Sequence, residues 1–404
     1  MTTATSPKVE FDPFSEDFFA NPYDIYRRMR QETPVYYSDR YDFYALSRHE
    51  DVAAAFKDYE TFSSAYGVDL AQVRKGEVTE HGSIIAMDPP AHRRMRSLLN
   101  KVFTPRAIEA RRELVTSSVE RHLAAVDPRG FDFVQDFSAR FPVDVMTTMQ
   151  GVPEPDRQKV RVWIDDLLHR DPGQVDMSES GLKAGVDMAV YYYRLVKSRR
   201  GELGDDLLST LIAAEIERDG GAMEPLTDLE ITEFAMLLGG AGAETVTKLL
   251  GNAAVVFAQN PDQWQKLLDD RSKIPLAVEE LLRLEAPAQY NVRRALRDVT
   301  LHGVTIPAGK PVFLLGGSAN RDPRAWTDPD RFDIARDRTQ AQNLGFGYGI
   351  HSCLGAALAR MESGVALERM LDFMPHYEVD WSGCKRVNMQ NVAGWSHVPV
   401  RVLP

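Results

Sequence analysis

Cys353 stands in the run Phe346-Gly347-Tyr348-Gly349-Ile350-His351-Ser352-Cys353-Leu354-Gly355, and an amphipathic stretch, Ala356-Ala357-Leu358-Ala359-Arg360-Met361, follows at once. Glycine lets a backbone pass close to something flat and take conformations that a Cβ forbids. A thiol at the entrance to a helix meets oriented N–H groups and the positive end of the helix dipole, which favour thiolate over thiol. The chemistry this suggests is an iron thiolate lying against a planar macrocycle. Most lone cysteines are buried core thiols; the surrounding glycines set this one apart.

A second group of residues lies in a long apolar segment. Leu237-Leu238-Gly239-Gly240-Ala241-Gly242-Ala243-Glu244-Thr245 falls midway between a capping box, Thr227-Asp228-Leu229-Glu230, and the stop Asn260-Pro261. Roughly 32 helical residues at 1.5 Å rise span about 48 Å, enough to cross a domain. Each glycine in a helix costs ~1 kcal/mol relative to alanine. Three in one turn therefore need a reason: a neighbour packs very close, or the helix is locally opened. A phosphate loop is excluded, because no strand precedes the glycines and no Gly-Lys-Ser/Thr follows. Upstream, Asp88-Pro89-Pro90 opens a helix that places His92 and Arg96 on one face, four residues apart. Glu280 and Arg283, three apart, also share a helix face.

Together these motifs resemble the cytochrome P-450 family, the haem-thiolate monooxygenases. Phe346, Gly347, Gly349, His351, Cys353 and Gly355 match its cysteine loop. The resemblance implies that Cys353 is the proximal iron ligand of a haem b. Ala241-Gly242-Ala243-Glu244-Thr245 matches the family's oxygen-activation motif, with Glu244 in place of the commoner Asp. Splitting dioxygen consumes two protons, and a hydroxyl (Thr245) backed by a carboxyl (Glu244) can relay them from water. The matching positions imply that His92, Arg96, Arg293 and His351 bind the haem propionates, buried anions that need charge-assisted donors. Arg294 takes the role of Arg293 if the register is off by one. Glu280-Leu281-Leu282-Arg283 and Asp328-Pro329-Asp330-Arg331-Phe332 imply a structural network of Glu280, Arg283 and Arg331, a task suited to planar arginine forks. Asn343 stands where relatives often carry His. The likeness runs from about Asn21-Pro22-Tyr23 to the end.

The elements that must hold these residues are mostly helical. Helices are expected at Tyr23 to Arg30, from Asp88 through Leu99, to about Gln259, at Lys273 to Leu284 and at Leu354 to Met374. Pro34 to Tyr37 and Phe43 to Ser47 read as a hairpin, Val299 to Leu315 as strand-like, and the chain beyond Tyr377 as short strands. The expected fold class is mainly α with a minor β portion, which the resemblance sharpens to a haem between a long central helix and the cysteine loop. A flexible tail is expected over residues 1–15 and a single domain over 16–404.

The 404 residues carry a net charge of −11, which argues against nucleic acid and anionic membrane as partners. No apolar run reaches the length of a membrane span, and no signal peptide is visible. Two cysteines exclude a disulfide framework. The expectation is a cytoplasmic monomer. Arg93, Arg94, Arg96, Lys101, Arg106, Arg111 and Arg112 cluster in sequence, either as a solvated face or as a docking patch for an acidic electron donor. With no dinucleotide fingerprint in the chain, the resemblance implies electrons from a separate ferredoxin and ferredoxin reductase, used with dioxygen to hydroxylate an apolar small molecule. By register, Tyr66 to Met87, Trp163 to Leu168, Leu237, Ala241, Tyr290, Val292 and Val392 to Trp395 line its pocket, suggesting a fatty-acid-like or terpenoid substrate. Two alternatives stay open: a peroxide-driven haem peroxygenase, and a non-catalytic haem protein that binds or senses a small molecule.

Overall fold

Thr227 and Glu230 start the long glycine-bearing helix by bonding each other's backbone. The Glu230 N–H donates to Thr227 Oγ1 at 3.2 Å, and the Thr227 N–H donates to the Glu230 carboxylate at 2.8 Å. The computed structural model describes residues 8–79, 83–100, 102–218 and 220–404. In chain order, the elements that position the site are α1 (Tyr23–Glu32), β1 (Val35–Ser38), β2 (Phe43–Leu46), β3 (Phe62–Ser63), α2 (Ala91–Asn100), α3 (Phe141–Met149), α4 (Arg157–Leu168), α5 (Glu179–Arg199), α6 (Asp228–Gln259), α7 (Ile274–Leu284), β4 (Asn291–Ala295), β5 (Pro311–Leu314) and α8 (Ala356–Phe373). The fold is mainly helical, as expected.

The five-stranded sheet has the order β1-β2-β5-β4-β3. β2 and β5 run parallel, with Val312 beside Tyr44, and the other neighbours run antiparallel. Aromatic side chains cluster against it: Phe11 meets Phe18, Tyr26, Tyr36 and Phe43 at ring separations of 5.8 to 6.1 Å. Residues 9–14 of the flexible tail expected over residues 1–15 are thus part of the fold. Val9, Phe11 and Phe14 are buried, because their apolar side chains complete this cluster. Residues 1–7 lie outside the described residues.

α6 is helical without interruption from Asp228 to Gln259, so Gly239 and Gly242 are explained by close neighbours and not by an opened turn, while a Cβ on Gly240 would meet nothing nearer than Ile164 at 3.9 Å. A Cβ on Gly239 would lie 2.8 Å from the Tyr192 hydroxyl of α5, and one on Gly242 would lie 2.3 Å from Met146 Cε of α3. The glycines let two helices approach α6 on adjoining faces.

α7 carries the structural network. Arg283 Nε and Nη2 each donate to a Glu280 oxygen at 2.8 Å, and Arg283 Nη1 donates to the carbonyls of Asn320 at 2.8 Å and Pro329 at 2.7 Å. The expected third member is corrected. Arg336, not Arg331, reaches Glu280, at 2.9 Å through Nε. The Arg331 side chain is 64% exposed, and the residue contributes its backbone carbonyl instead. The turn at Asp328, with φ of 44°, sends Arg331 outward and brings the chain back to Glu280 five residues later.

Glu362 on α8 is fully buried, and neither carboxyl oxygen has a hydrogen-bond partner among the described residues. Burial holds its pKa well above the ordinary 4.5. A carboxyl whose folded pKa is raised stabilises fully below its unfolded value and loses that stability as pH rises. Glu362→Gln is therefore expected to raise the thermal midpoint by a few degrees near neutral pH and by almost nothing near pH 4. Equal shifts at both pH values would show that the carboxyl is not held neutral.

Candidate active site

The cysteine loop enters α8 through a short 3₁₀ turn, Gly349–His351, and is closed by the Cys353 N–H donating to the Phe346 carbonyl at 2.9 Å. Gly349 has a φ of 73°, and a Cβ there would lie 2.6 Å from the Phe56 carbonyl oxygen. This glycine is required by protein packing rather than by a flat partner. The thiol itself is accessible, yet the protein around it is dense enough that burial pushes its pKa up. The sulfur is thus open to solvent although protein atoms crowd round it. The Gly355 N–H, Arg96 and Arg360 favour the thiolate, but burial outweighs them. The helix entrance alone thus does not make Cys353 a thiolate, and a cation bound to the sulfur would have to supply the rest.

Four basic residues converge beside the loop. His92, on α2, is 2% exposed, and its ring centroid lies 4.3 Å from that of His351. Both His92 ring nitrogens and His351 Nε2 are buried without a hydrogen-bond partner among the described residues. Burial, reinforced by Arg96, pushes the His92 pKa down to about 4. Burial, then Arg293, His92 and Arg96, push His351 down to about 2. Arg293 on β4 is buried, donates among the described residues to the Val292 carbonyl at 2.9 Å, and is pushed down to about 10 by burial. Arg96 Nη2 donates to the Ser352 carbonyl at 2.6 Å, tying α2 to the cysteine loop.

Unpartnered buried donors and cations are costly unless anions complete them. The two carboxylates of a haem fit this set, and the accessible sulfur beside it fits the iron. Arg294 does not compete for the role. Strand alternation turns it away, over the Tyr66 ring and onto the Val73 carbonyl at 2.9 Å.

On α6, Thr245 and Glu244 are neighbours that do not meet. The Thr245 hydroxyl donates to the Ala241 carbonyl at 2.9 Å, beside the exposed Ala241. Glu244 points elsewhere, with Oε1 2.6 Å from Lys248 Nζ, and the two side chains are 3% and 4% exposed. The expected link from Glu244 to water is thus replaced by a buried ion pair. Lys248 went unremarked in the sequence, although a spacing of four residues on one helix was there to be read. Asp165 on α4 belongs to the same neighbourhood. Burial and the nearby Glu244 raise its pKa to about 7, with Lys248 and Arg161 acting in the opposite sense.

The rim is formed by α4 and the segment 387–395. His169 bridges Met389, and Arg170 Nη2 donates to Gln390 Oε1 at 3.1 Å. Two expected pocket residues are corrected. Tyr290 and Val292 are buried in the aromatic cluster, and Tyr290 donates its hydroxyl to the Gln390 carbonyl. Val292 on β4 and Tyr290 just before it pack into the sheet's aromatic layer. Leu237, Ala241 and Trp395 remain at least partly accessible. Residues 80–82, within the expected 66–87 lining, lie outside the described residues. A cleft beside Glu280, Arg283, Trp326 and Arg336 belongs to the structural network and holds none of the site residues.

Residues 182–380 match the family model for cytochrome P-450. The chain is 41% identical over 398 residues to cytochrome P-450 123 of Mycobacterium tuberculosis, covering 98% of both chains. It is 35% identical over 412 residues to the vitamin D(3) 25-hydroxylase of Pseudonocardia autotrophica, covering 100% of this chain and 99% of that one. Among solved structures, CYP109E1 from Bacillus megaterium in complex with testosterone superposes with a TM-score of 0.87 at 30% identity, over 96% of this chain and 99% of that chain. No helix among the described residues is long and apolar enough to cross a membrane. An accessible thiol beside buried arginine and unpartnered histidine nitrogens is what a haem-thiolate site requires, and with relatives aligned along almost their whole lengths, this chain belongs to the cytochrome P-450 family of haem-thiolate monooxygenases.

Proposed function

We propose that the chain hydroxylates an apolar small molecule, fatty-acid-like or terpenoid, in the cytoplasm, drawing electrons from a separate ferredoxin and its reductase. The observation that carries the site assignment is the accessible Cys353 thiol beside the buried Arg293 and beside the His92 ring nitrogens and His351 Nε2, which are buried without a hydrogen-bond partner among the described residues. In this reading residues 16–404 form one monooxygenase domain. Cys353 would ligate the iron, and His92, Arg96, Arg293 and His351 would hold the two propionates. When bound, the haem supplies the oxidation, placing one atom of dioxygen in a C–H bond and reducing the other to water.

The chain's own residues do the rest. Cys353 would donate electron density to the iron, which favours O–O cleavage. The Thr245 hydroxyl, which donates to the Ala241 carbonyl in this structure, would be the proton donor, with the Glu244–Lys248 ion pair next to it on α6. Arg93, Arg106 and Arg111 are exposed near the cysteine loop's side of the fold and offer an acidic donor a basic surface. Lys101, of the same cluster, lies outside the described residues. Apolar substrate is favoured by Leu237 and Ala241, and by the names of relatives that act on or bind vitamin D(3) and testosterone.

The test is a titration of the ferric holoenzyme with fatty acids, terpenoids and steroids, read as a low- to high-spin shift and followed by turnover with ferredoxin and reductase. Product formed faster with hydrogen peroxide alone would turn the reading to a peroxygenase. Spin shifts with no oxygenated product would turn it to a haem sensor. Thr245→Ala is expected to lower product per NAD(P)H by at least about tenfold, with peroxide made instead. Unchanged coupling would remove Thr245 from proton delivery.

A further inference from the structure

Along α5 runs an exposed apolar stripe that no other part of the described chain covers. Leu182, Val186, Val190 and Tyr193 are 59%, 62%, 44% and 42% exposed. Steps of four, four and three residues put them on one helix face. The opposite face is the core side, where Ala184, Met188, Tyr192 and Val196 are buried. The stripe is therefore additional to the face that folding uses. Glu179 continues the same row at one end and Lys197 at the other.

We infer that this row is a two-fold interface between two copies of the chain, with their α5 helices packed antiparallel. A two-fold interface must complement itself, and this row does so when reversed. Val186 falls opposite the partner's Val190, Leu182 opposite the partner's Tyr193, and Glu179 opposite the partner's Lys197. Glu179 has no ion-pair partner of its own among the described residues. Lys197 Nζ lies 2.7 Å from Asp228, but Arg200 holds that carboxylate too, so Lys197 can be shared. A lipid surface fits less well. Interfacial helices carry a basic polar face, whereas this stripe is flanked by both signs, Glu179 and Asp187 with Lys183, Arg194 and Lys197, and Lys183 is tied to Asp187 at 2.5 Å; the chain's net charge is −11.

A helix of 21 residues is roughly 30 Å long. One such helix pair buries little area, at the low end of specific interfaces, so the dissociation constant is expected on the order of micromolar. This departs from the monomer expected from the sequence and holds whatever the substrate is. α5 packs on α6 at Gly239, so pairing braces the helices above Thr245.

The experiment is sedimentation velocity on the haem-loaded full chain between about 1 and 200 µM. A concentration-dependent dimer is expected. Val186→Glu/Val190→Glu should stay monomeric throughout, with an unchanged carbonyl Soret band as the check on folding. Glu179→Lys should weaken the dimer by about tenfold by setting like charges face to face. Leu296→Glu, at an exposed apolar position off the stripe, should leave it unchanged. A wild-type monomer at every concentration would overturn the inference, as would a dimer indifferent to the Val186 and Val190 changes. Co-pelleting of the wild type, but not of the Val186 and Val190 variant, with anionic vesicles would assign the stripe to lipid and overturn it equally.

Discussion

Cys353→Ser abolishes monooxygenase turnover while leaving the fold within about 1 kcal/mol of wild type. The loop is closed by the Cys353 backbone N–H, which serine keeps. The sulfur is accessible rather than packed in the core, so little apolar burial is lost with it. What disappears is the soft, electron-donating ligand. The reduced carbonyl complex of the variant should lose the strongly red-shifted Soret band of a thiolate-ligated haem, and product should fall to background. His92, Arg96, Arg293 and His351 are untouched, so haem is still retained in part. A variant that kept the red shift would show that another residue ligates the iron.

The second large effect lies away from the chemistry. Arg283→Lys is expected to cost on the order of 3–5 kcal/mol, the scale of breaking a buried ion pair. A single ammonium cannot span both Glu280 oxygens and also reach the carbonyls of Asn320, Pro329 and Arg331, as the guanidinium does. Asn320 in turn accepts from the Leu344 N–H at 2.8 Å, at the start of the cysteine loop. Loss of Arg283 should therefore loosen the loop, and the reduced carbonyl band should revert to the position of a non-thiolate haem at denaturant levels that spare wild type. Arg331→Ala should stay within about 0.5 kcal/mol of wild type, because only the backbone of that residue is used. An Arg331 variant as damaged as Arg283→Lys would contradict the observed pairing of Glu280 with Arg336.

Much of the site was legible because it depends on local spacing. The capping box fixed where α6 begins, Asn260-Pro261 where it ends, and the four-residue step from His92 to Arg96 put both on one side of α2. Strand alternation separated Arg293 from Arg294 only once β4 was seen paired with β5. What escaped the sequence was long-range. Arg331 and Arg336 are equally good partners for Glu280 on paper, and the turn at Asp328 decides between them. The direction of Glu244 depends on whether a buried cation or water waits beside it, and Lys248 supplies the cation. Tyr290 and Val292 looked like pocket residues because they are apolar and near the motif, but register with the sheet turns them into the aromatic layer. The stripe on α5 could not be told from a core face, since exposure belongs to the packed molecule and not to the helix.

Lys248 is pressed from its other side by Gly394, where a Cβ would come within 2.7 Å of the lysine stem. Gly394 belongs to the rim segment, and Lys248 holds Glu244. Recognition and oxygen use are thereby wired in series through one side chain. A lineage, or a laboratory selection, that enlarges residue 394 to admit a new molecule shifts the lysine and with it the carboxylate behind Thr245. Gains in substrate range at that position would arrive together with changed oxygen economy, so the two traits cannot be tuned independently there.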